Sequence, residues 1–437
     1  MSKDKQKKKI YKPKPISGFP EWLPEYRAIE QQWLDKIRVV FESYGYCSIE
    51  TPSVEELDVI AAKGEDVDKE IYVLERLQAD STDKKNARLA LHFDQTVPFA
   101  RYVGQHFNEL TFPFKRYQMQ RVWRGERPQV GRMREFYQCD IDVINVDHLP
   151  ISFDSEVASI CYEALEALDI GRVQLRISNR KILMGLLTHL DIEDIVGVTR
   201  IIDKIEKIGA EEIFKILKKD LNIPSDKIQE ILTLVQNKEV STIKALNDEM
   251  KEGLEELSFV LDNLSHLPDH AVVADLSIVR GLDYYTGTVY ETRLLDVMEF
   301  TGSVCSGGRY DDLASNYINK KLPGVGISIG FTRLFDVLKN YNHIKAGKKS
   351  PADILMVLPS EEKRAFASDT ARTLRNRGFK VEMYHAAQKI GKQFSYAEKK
   401  NIQYVWIPPF EDGKAHEVKN LDAKTQMEAD PNDWTIS

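Results

Sequence analysis

The sequence has no run approaching about 18 consecutive apolar residues, which excludes a membrane-spanning helix. Its N-terminus carries lysines with no apolar stretch behind them, so it does not read as a secretory signal. Cysteine is scarce: Cys47, Cys139, Cys161 and Cys305 lie far apart and form no CxxC pair. That speaks against a disulfide framework or a thiolate zinc site and fits a reducing, cytoplasmic setting. None of the nine histidines forms a zinc motif with carboxylates, and Pro268 interrupts the spacing of His266 and His270. No metal site built from protein side chains is therefore expected. Nucleophile elbows and P-loop lysines are also missing. A formal charge of -7 gives no overall basic field, so contact with nucleic acid would need local patches.

What is present is a folded chain of 437 residues, 42% hydrophobic and 30% charged, long enough for two to four domains. Residues 1–15 hold seven lysines against Asp4 alone, and read as a disordered basic tail. Ile29, Trp33, Ile37, Val40, Phe41 and Tyr44 predict a helix stopped at Gly45, followed by a strand ending at Thr51-Pro52. Strand-like stretches then recur to about residue 145, with a helix near 154–168. Together these make the first part of a core, 16–171. Residues 172–264 are rich in Lys, Glu, Leu and Ile at helical spacing and read as a helical insertion. The core resumes over 265–344. A polar linker, 345–351, leads to strand–helix alternation over 352–437, a small α/β domain with parallel pairing. The fold class is α+β.

Several segments carry candidate chemistry. Two strand-like runs, 114–124 and 134–143, flank a loop bearing Arg127 and Arg132. In the second run Tyr137, Cys139, Ile141 and Val143 share a core face, while Arg134, Phe136, Gln138, Asp140 and Asp142 share the other. By pattern alone this second face is either ordinary solvated sheet surface or the floor for a charged, planar ligand. Arg124, Arg127 and Arg132 suit phosphate, since the guanidinium fork is planar and permanently charged. Arg280-Gly-Leu-Asp-Tyr-Tyr285 offers a cation and two hydroxyls, or else two core tyrosines beside an exposed arginine. The glycines of 323–330 clear a strand face next to Arg333 at a helix start, where a phosphate could sit. Their spacing is not that of a dinucleotide fingerprint.

Taken in order, these segments resemble the class II aminoacyl-tRNA synthetases and, within them, the histidyl-tRNA synthetase family. Residues 18–24 with the helix to Ile49-Glu-Thr-Pro52 look like the first class motif. Val122–Glu126 through Arg134–Gln138 look like the second, and Gly326–Arg333 like the third. Arg280–Tyr285 and Ser306-Gly-Gly-Arg-Tyr310 look like the two histidine-specific signatures. The resemblance implies a catalytic core of mainly antiparallel sheet flanked by helices, a helical insertion and a C-terminal α/β anticodon-binding domain. It also implies a homodimer with Pro52 at the interface, and ATP with Mg2+, L-histidine and tRNA(His) as reactants. The expected reaction is activation of histidine to histidyl-adenylate, then transfer to the 3′ end of tRNA.

Arg124 matches the arginine on the α-phosphate, and Arg280 the histidine-specific arginine that replaces a cation. Glu126, Arg132, Phe136 and Arg333 match positions around ATP, with Phe136 beneath the adenine. Asp94, Gln95, Thr96 and Gln138 fall at the α-amino end of histidine; Asp142, Tyr284, Tyr285 and Tyr310 fall around its imidazole. The sequence departs from common family forms at Gln95, often Gly or Leu, and at Thr332, often Glu. A regulatory relative would be expected to lack the C-terminal domain and signature residues, which are present here.

Overall fold

A computed structural model describes residues 11–61, 70–75, 88–279, 284–315, 317–411 and 413–436. Most of the lysine tail and Arg280 lie outside the described residues. The chain divides into two compact units: Leu34–Ile344 with the chain up to Pro20, and Glu21–Trp33 with Lys345–Ser437.

Helix α1 (Pro24–Ser43) belongs to the first unit from Leu34 on, where Leu34, Ile37 and Phe41 enter the core at i, i+3 and i+7. Gly45, at φ +78°, turns the chain into β1 (Cys47–Ser48). Next come β2 (Val54–Glu56), α2 (Leu57–Ala61), β3 (Val73–Leu74) and β4 (Leu89–Leu91), whose strands form a small antiparallel sheet ordered β2-β4-β3. Helix α3 (Thr96–His106) precedes two ten-residue strands, β5 (Phe114–Trp123) and β6 (Glu135–Ile144), and then α4 (Ser152–Glu166) and β7 (Val173–Asn179). Helices α5 (Arg180–His189), α6 (Ile195–Ile202), α7 (Ile205–Asp220), α8 (Ser225–Gln236) and α9 (Asp248–Asn263) follow. The chain then returns through β8 (Val272–Ala274), β9 (Thr288–Leu294), β10 (Cys305–Tyr310), β11 (Gly324–Ile329) and α10 (Phe331–Asn340).

The main sheet runs β1-β5-β6-β11-β10-β9-β7-β8, antiparallel in its inner six strands and parallel at both flanks. One detail departs from the sequence reading. The first residues of the stretch expected to be helical form β7, in register with β9 from Val173↔Leu294 to Asn179↔Thr288. Val173, Leu175 and Ile177 alternate there, so period two governs before period 3.6 begins.

In the second unit, β12 (Ile354–Met356), α11 (Arg364–Asn376), β13 (Val381–Met383), α12 (Ile390–Lys400) and β14 (Tyr404–Ile407) give the expected parallel pairing. Beyond them β15 (His416–Asn420) and β16 (Thr425–Ala429) extend the sheet antiparallel. Strand β12 is buried on both faces. Ile354 and Met356 pack with Trp406 and Trp434, while Leu355 and Val357 pack with Ala397 and Val405. This is why 354–358 reads as an unbroken apolar run.

One buried ion pair ties α4 to the sheet. Arg309 on β10 meets Asp154 at 2.5 Å, and its remaining donors reach the carbonyls of Leu149 and Pro150. The Asp154 side chain is fully buried, so removing its cation leaves an uncompensated charge in the interior. Arg309→Met should lower the stability of this unit by about 3–5 kcal/mol in urea unfolding. A loss below about 1 kcal/mol would show that the pair is not needed to hold α4.

Candidate active site

The β5–β6 hairpin organises the site. Its register sets Arg116 opposite Asp142, Gln118 opposite Asp140, and Gln120 opposite Gln138. All six side chains fall on the face for which the sequence allowed a solvated surface, and the structure decides against that. Gln138, Asp140 and Asp142 are only 9%, 5% and 7% exposed, and Arg116 and Gln118 are fully buried. Burying such groups is tolerable only when they are paired. Arg116 reaches Asp142 at 2.5 Å and lies 4.2 Å from the Phe99 ring centroid. The Gln118 amide donates to Thr51 Oγ1 (3.0 Å) and Gln120 Oε1 (2.7 Å), and the Gln120 amide donates to Thr51 O (2.8 Å).

Toward the N-terminal end of β6, a cleft of about 670 Å³ is lined by Arg124, Glu126, Arg132, Phe136, Gln138 and Arg333, among others. The Arg124 guanidinium sits between the rings of Phe93 (4.4 Å) and Phe136 (5.2 Å), and its Nε donates to Phe93 O at 3.2 Å. Two aromatic faces and one carbonyl therefore hold this cation in place before any ligand arrives. Arg333, in the first turn of α10, donates from Nε to Gly131 O (2.8 Å) and from Nη1 to Ser303 O (3.1 Å). Asp336, one turn on, accepts from Gly131 N at 2.9 Å, so α10 grips the loop on both sides of one residue. That residue must be glycine: its φ is +72°, and a Cβ would lie 3.0 Å from Val337 Cγ2. Arg132 pairs with Glu126 at 3.1 Å, half-exposed. Such a pair is worth about 0–1 kcal/mol, so Arg132 can leave it cheaply for an incoming anion. Arg127, outside this lining, is exposed. Glu70 lies within the field of Arg124, Glu126 and Arg132. Burial and Glu126 push its pKa up, while the arginines pull it down.

Further along β6, a slot of about 290 Å³ is lined by Thr96, Asp140, Asp142, Tyr284, Tyr285, Ser306, Tyr310, Gly326, Ile327 and Ser328. Ser306 and Ser328 line both slot and cleft, which are therefore contiguous. Tyr310 donates to Asp142 Oδ1 at 2.9 Å, and its ring lies 5.1 Å from that of Tyr284. Burial raises the Asp142 pKa against the pull of Arg116 and Tyr310. Burial and the neighbouring acid raise those of Tyr285 and Tyr310, keeping both phenols protonated. The glycines of β10 and β11 make room: at Gly326 a Cβ would come within 2.1 Å of Asp142 Oδ1, and at Gly324 within 2.4 Å of the Tyr310 ring. Cleft and slot together can hold a planar, anionic group beside a small group with N–H donors.

The structure brings most of the candidates expected from sequence to these two spaces. Gln95 lines neither; it is buried, and its amide donates to the carbonyls of Gln120 (3.0 Å) and Gln138 (3.2 Å), bracing the strands beneath. Asp94 Oδ1 accepts from Thr96 N and Val97 N, both at 3.1 Å, at the start of α3. The Thr332 hydroxyl accepts from Tyr137 N at 2.8 Å. Arg116, Gln118, Ser306, Ser328 and the lining role of Asp140 were missed. The strict alternation of Arg116, Gln118 and Gln120 along β5 was the available signal. Among the described residues no group of three or more His, Cys, Asp or Glu side chains is placed to hold a metal.

Comparison with known proteins accords with this geometry. The family described as "Histidyl-tRNA synthetase" matches residues 18–334, and "Anticodon binding domain" matches 353–432. The chain is 55% identical over 434 residues to the histidine–tRNA ligase of Thermobifida fusca, covering 98% of this chain and 99% of that protein. It is 45% identical over 442 residues to that of Micrococcus luteus, covering 96% and 95%. The crystal structure of histidyl-tRNA synthetase from Nostoc sp. PCC 7120 superposes with a TM-score of 0.87 at 37% identity, covering 96% of this chain and 97% of that one.

Gly326→Ala should displace Asp142, and with it Tyr310 and Arg116, costing about 1–3 kcal/mol as overpacking does. Urea unfolding checks this, and unchanged stability would show that the slot has slack the structure does not display.

Proposed function

The chain belongs to the histidyl-tRNA synthetase family, and from that premise we propose how its residues carry the activity. It is an ATP-dependent histidine–tRNA ligase of class II, with a catalytic and an anticodon-binding domain. The histidine carboxylate oxygen attacks the α-phosphorus of ATP, the bond to the bridging oxygen breaks, and pyrophosphate leaves. The ribose hydroxyl at the 3′ end of tRNA(His) then attacks the acyl carbon and AMP departs.

The observation that carries the residue assignment is the order of side chains along one face of β6: Phe136, Gln138, Asp140, Asp142. Successive members lie roughly 6.5–7 Å apart, so the strand runs from the arginine cleft to the acidic slot in about 20 Å. ATP lies in the cleft, with its adenine on Phe136 and near Glu126. Arg124 takes the α-phosphate. Its side chain is already fixed by Phe93 and Phe136, so little reorganisation accompanies the charge that develops in the transition state. Arg132 swings from Glu126 to the outer phosphates, and Arg333 covers the base while reaching the γ-phosphate. Arg280, assigned on its signature motif alone, supplies a second positive charge at the reacting centre.

In this reading Gln138, with Thr96, holds the amino end of histidine. Asp142, Tyr285 and Tyr310 address the imidazole, which donates at one nitrogen and accepts at the other. An apolar analogue of the same size would leave these buried groups unpaired, which is the basis for strong rejection. Mg2+ enters with the nucleotide, and its chemistry is to offset phosphate charge; Glu126 is the carboxylate lining the cleft.

Homodimer formation and cytosolic residence are part of the same proposal. They rest on the resemblance of the first motif and on the fact that no helix among the described residues is long and apolar enough to cross a membrane. Light scattering at twice the chain mass is the result expected for the dimer, and a monomer mass would reject it. Recovery in the soluble fraction of lysed cells is expected for the cytosol, and recovery with membranes would contradict it.

Histidine alone among the twenty amino acids should support ATP–pyrophosphate exchange. Arg124→Ala should reduce kcat for exchange by about 10²–10³-fold with the fold retained, as loss of one preorganised charge-stabilising donor does. Exchange within about threefold of the parent protein would reject the role given to Arg124.

A further inference from the structure

Three residues of α10 converge on one residue of the β5–β6 loop. Asp336 Oδ2 accepts from Gly131 N at 2.9 Å, and Arg333 Nε donates to Gly131 O at 2.8 Å. Val337 Cγ2 stands 3.0 Å from where a Cβ on that glycine would be. Positions 333, 336 and 337 share one helix face, at i, i+3 and i+4. Asp336 is only 4% exposed, and its other oxygen, Oδ1, accepts from Asn340 Nδ2 at 2.8 Å one turn on. A carboxylate has no donor of its own, so each oxygen fixes an N–H and the side chain is held from both sides. Asp336 is not among the described residues that line the cleft, whereas Arg132 and Arg333 are.

Gly131 sits at the tip of the loop. Gln129 and Arg132 exchange backbone hydrogen bonds across it, at 3.0 and 2.8 Å, which closes a tight turn with Val130 and Gly131 at its corner. The Arg132 side chain leaves directly after this corner, so the direction of the turn sets its root. Its head is held far less firmly, by a half-exposed pair with Glu126. Arg132 is thus a loose side chain on a fixed root, able to reach an anion without first ordering the loop that carries it. Without Asp336 the Gly131 N–H would be buried and unmet, a cost the loop would relieve by moving away from α10.

Resting on the reading that ATP lies in the cleft, we propose that Asp336 is a positioning residue for the outer phosphates of the nucleotide. It pins the loop tip to α10, so that Arg132 and Arg333 move as one body, and it acts on ATP through Arg132. The N–H and the C=O of one residue are both taken by the helix, so the turn neither twists nor lifts without breaking a buried bond. The phosphates meet Arg132 in the ground state and in the transition state alike. Losing the clamp therefore weakens binding more than turnover.

The test is steady-state ATP–pyrophosphate exchange by the full-length protein. Asp336→Ala should raise KM for ATP, and for pyrophosphate in the reverse direction, by about 5–30-fold, the range for ordering one or two further residues on binding. KM for histidine should change by less than about twofold and kcat by less than about threefold. Asp336→Asn keeps an acceptor for Gly131 N, and Asn340 can turn its Oδ1 to receive the new amide. That variant should bring KM for ATP back to within about threefold of the parent protein. Arg132→Ala should raise KM for ATP by itself, and adding Asp336→Ala to it should cost less than about threefold more. An unmoved KM for ATP, equal rises for ATP and histidine, or effects of the two substitutions that multiply would each overturn the proposal. Asn340→Ala, which removes a donor from Asp336 without touching the loop, decides the matter if Asp336→Ala does not fold. It should raise KM for ATP and not KM for histidine, and an unmoved KM for ATP overturns the proposal there too. A parent protein with no histidine-dependent exchange would instead fail the ligase reading itself.

Discussion

A row of acids and amides buried under a sheet, with one guanidinium to balance it, is the constraint from which the rest of the site follows. Gln138, Asp140 and Asp142 face inward on β6, and Arg116 on the neighbouring strand neutralises only the last of them. Such an arrangement is poor economy for stability alone, since well-packed apolar residues would cost less. It makes sense as a lattice that holds the walls of a polar slot in one geometry for the proposed substrate. A ligand without matching donors and acceptors would leave those buried groups unpaired and is refused.

The neighbouring cleft follows the opposite logic. There the protein provides the cations and leaves the anion to arrive. Arg124 and Arg333 are fixed by carbonyls, and Arg124 by two rings as well. Arg132 is held only by a half-exposed carboxylate. The rigid pair is suited to a transition state, where reorganisation is expensive, and the loose one to capturing a flexible polyphosphate. Gln138, Ser306 and Ser328, at the boundary, tie the two halves into one strand-guided path.

Periodicity made much of the architecture legible. The stripe Ile37–Phe41 gave α1, the apolar run 354–358 gave a doubly buried strand, and glycines 324 and 326 marked a face that must stay clear of side chains. The order of motifs gave the family. Tertiary context hid the rest. Period two in 173–179 lay next to a long helical stretch and was absorbed into it. The β6 face left solvated surface and ligand floor both open, because alternating Gln and Asp is what surface strands show; its pairing with Arg116, Gln118 and Gln120 across β5 reveals a buried lattice. Gln95 was placed with the ligand by motif position, yet its side chain braces the sheet instead.

In this reading β6 lays the reactants out in order, nucleotide to amino acid to imidazole. A crystal structure with ATP and histidinol bound tests it most directly. The expected result is adenine against Phe136, the amino group against Gln138 and Thr96, and the imidazole against Asp142 and Tyr285. An imidazole seated among the arginines, or an amino group facing bulk water away from Gln138 and Thr96, would contradict it.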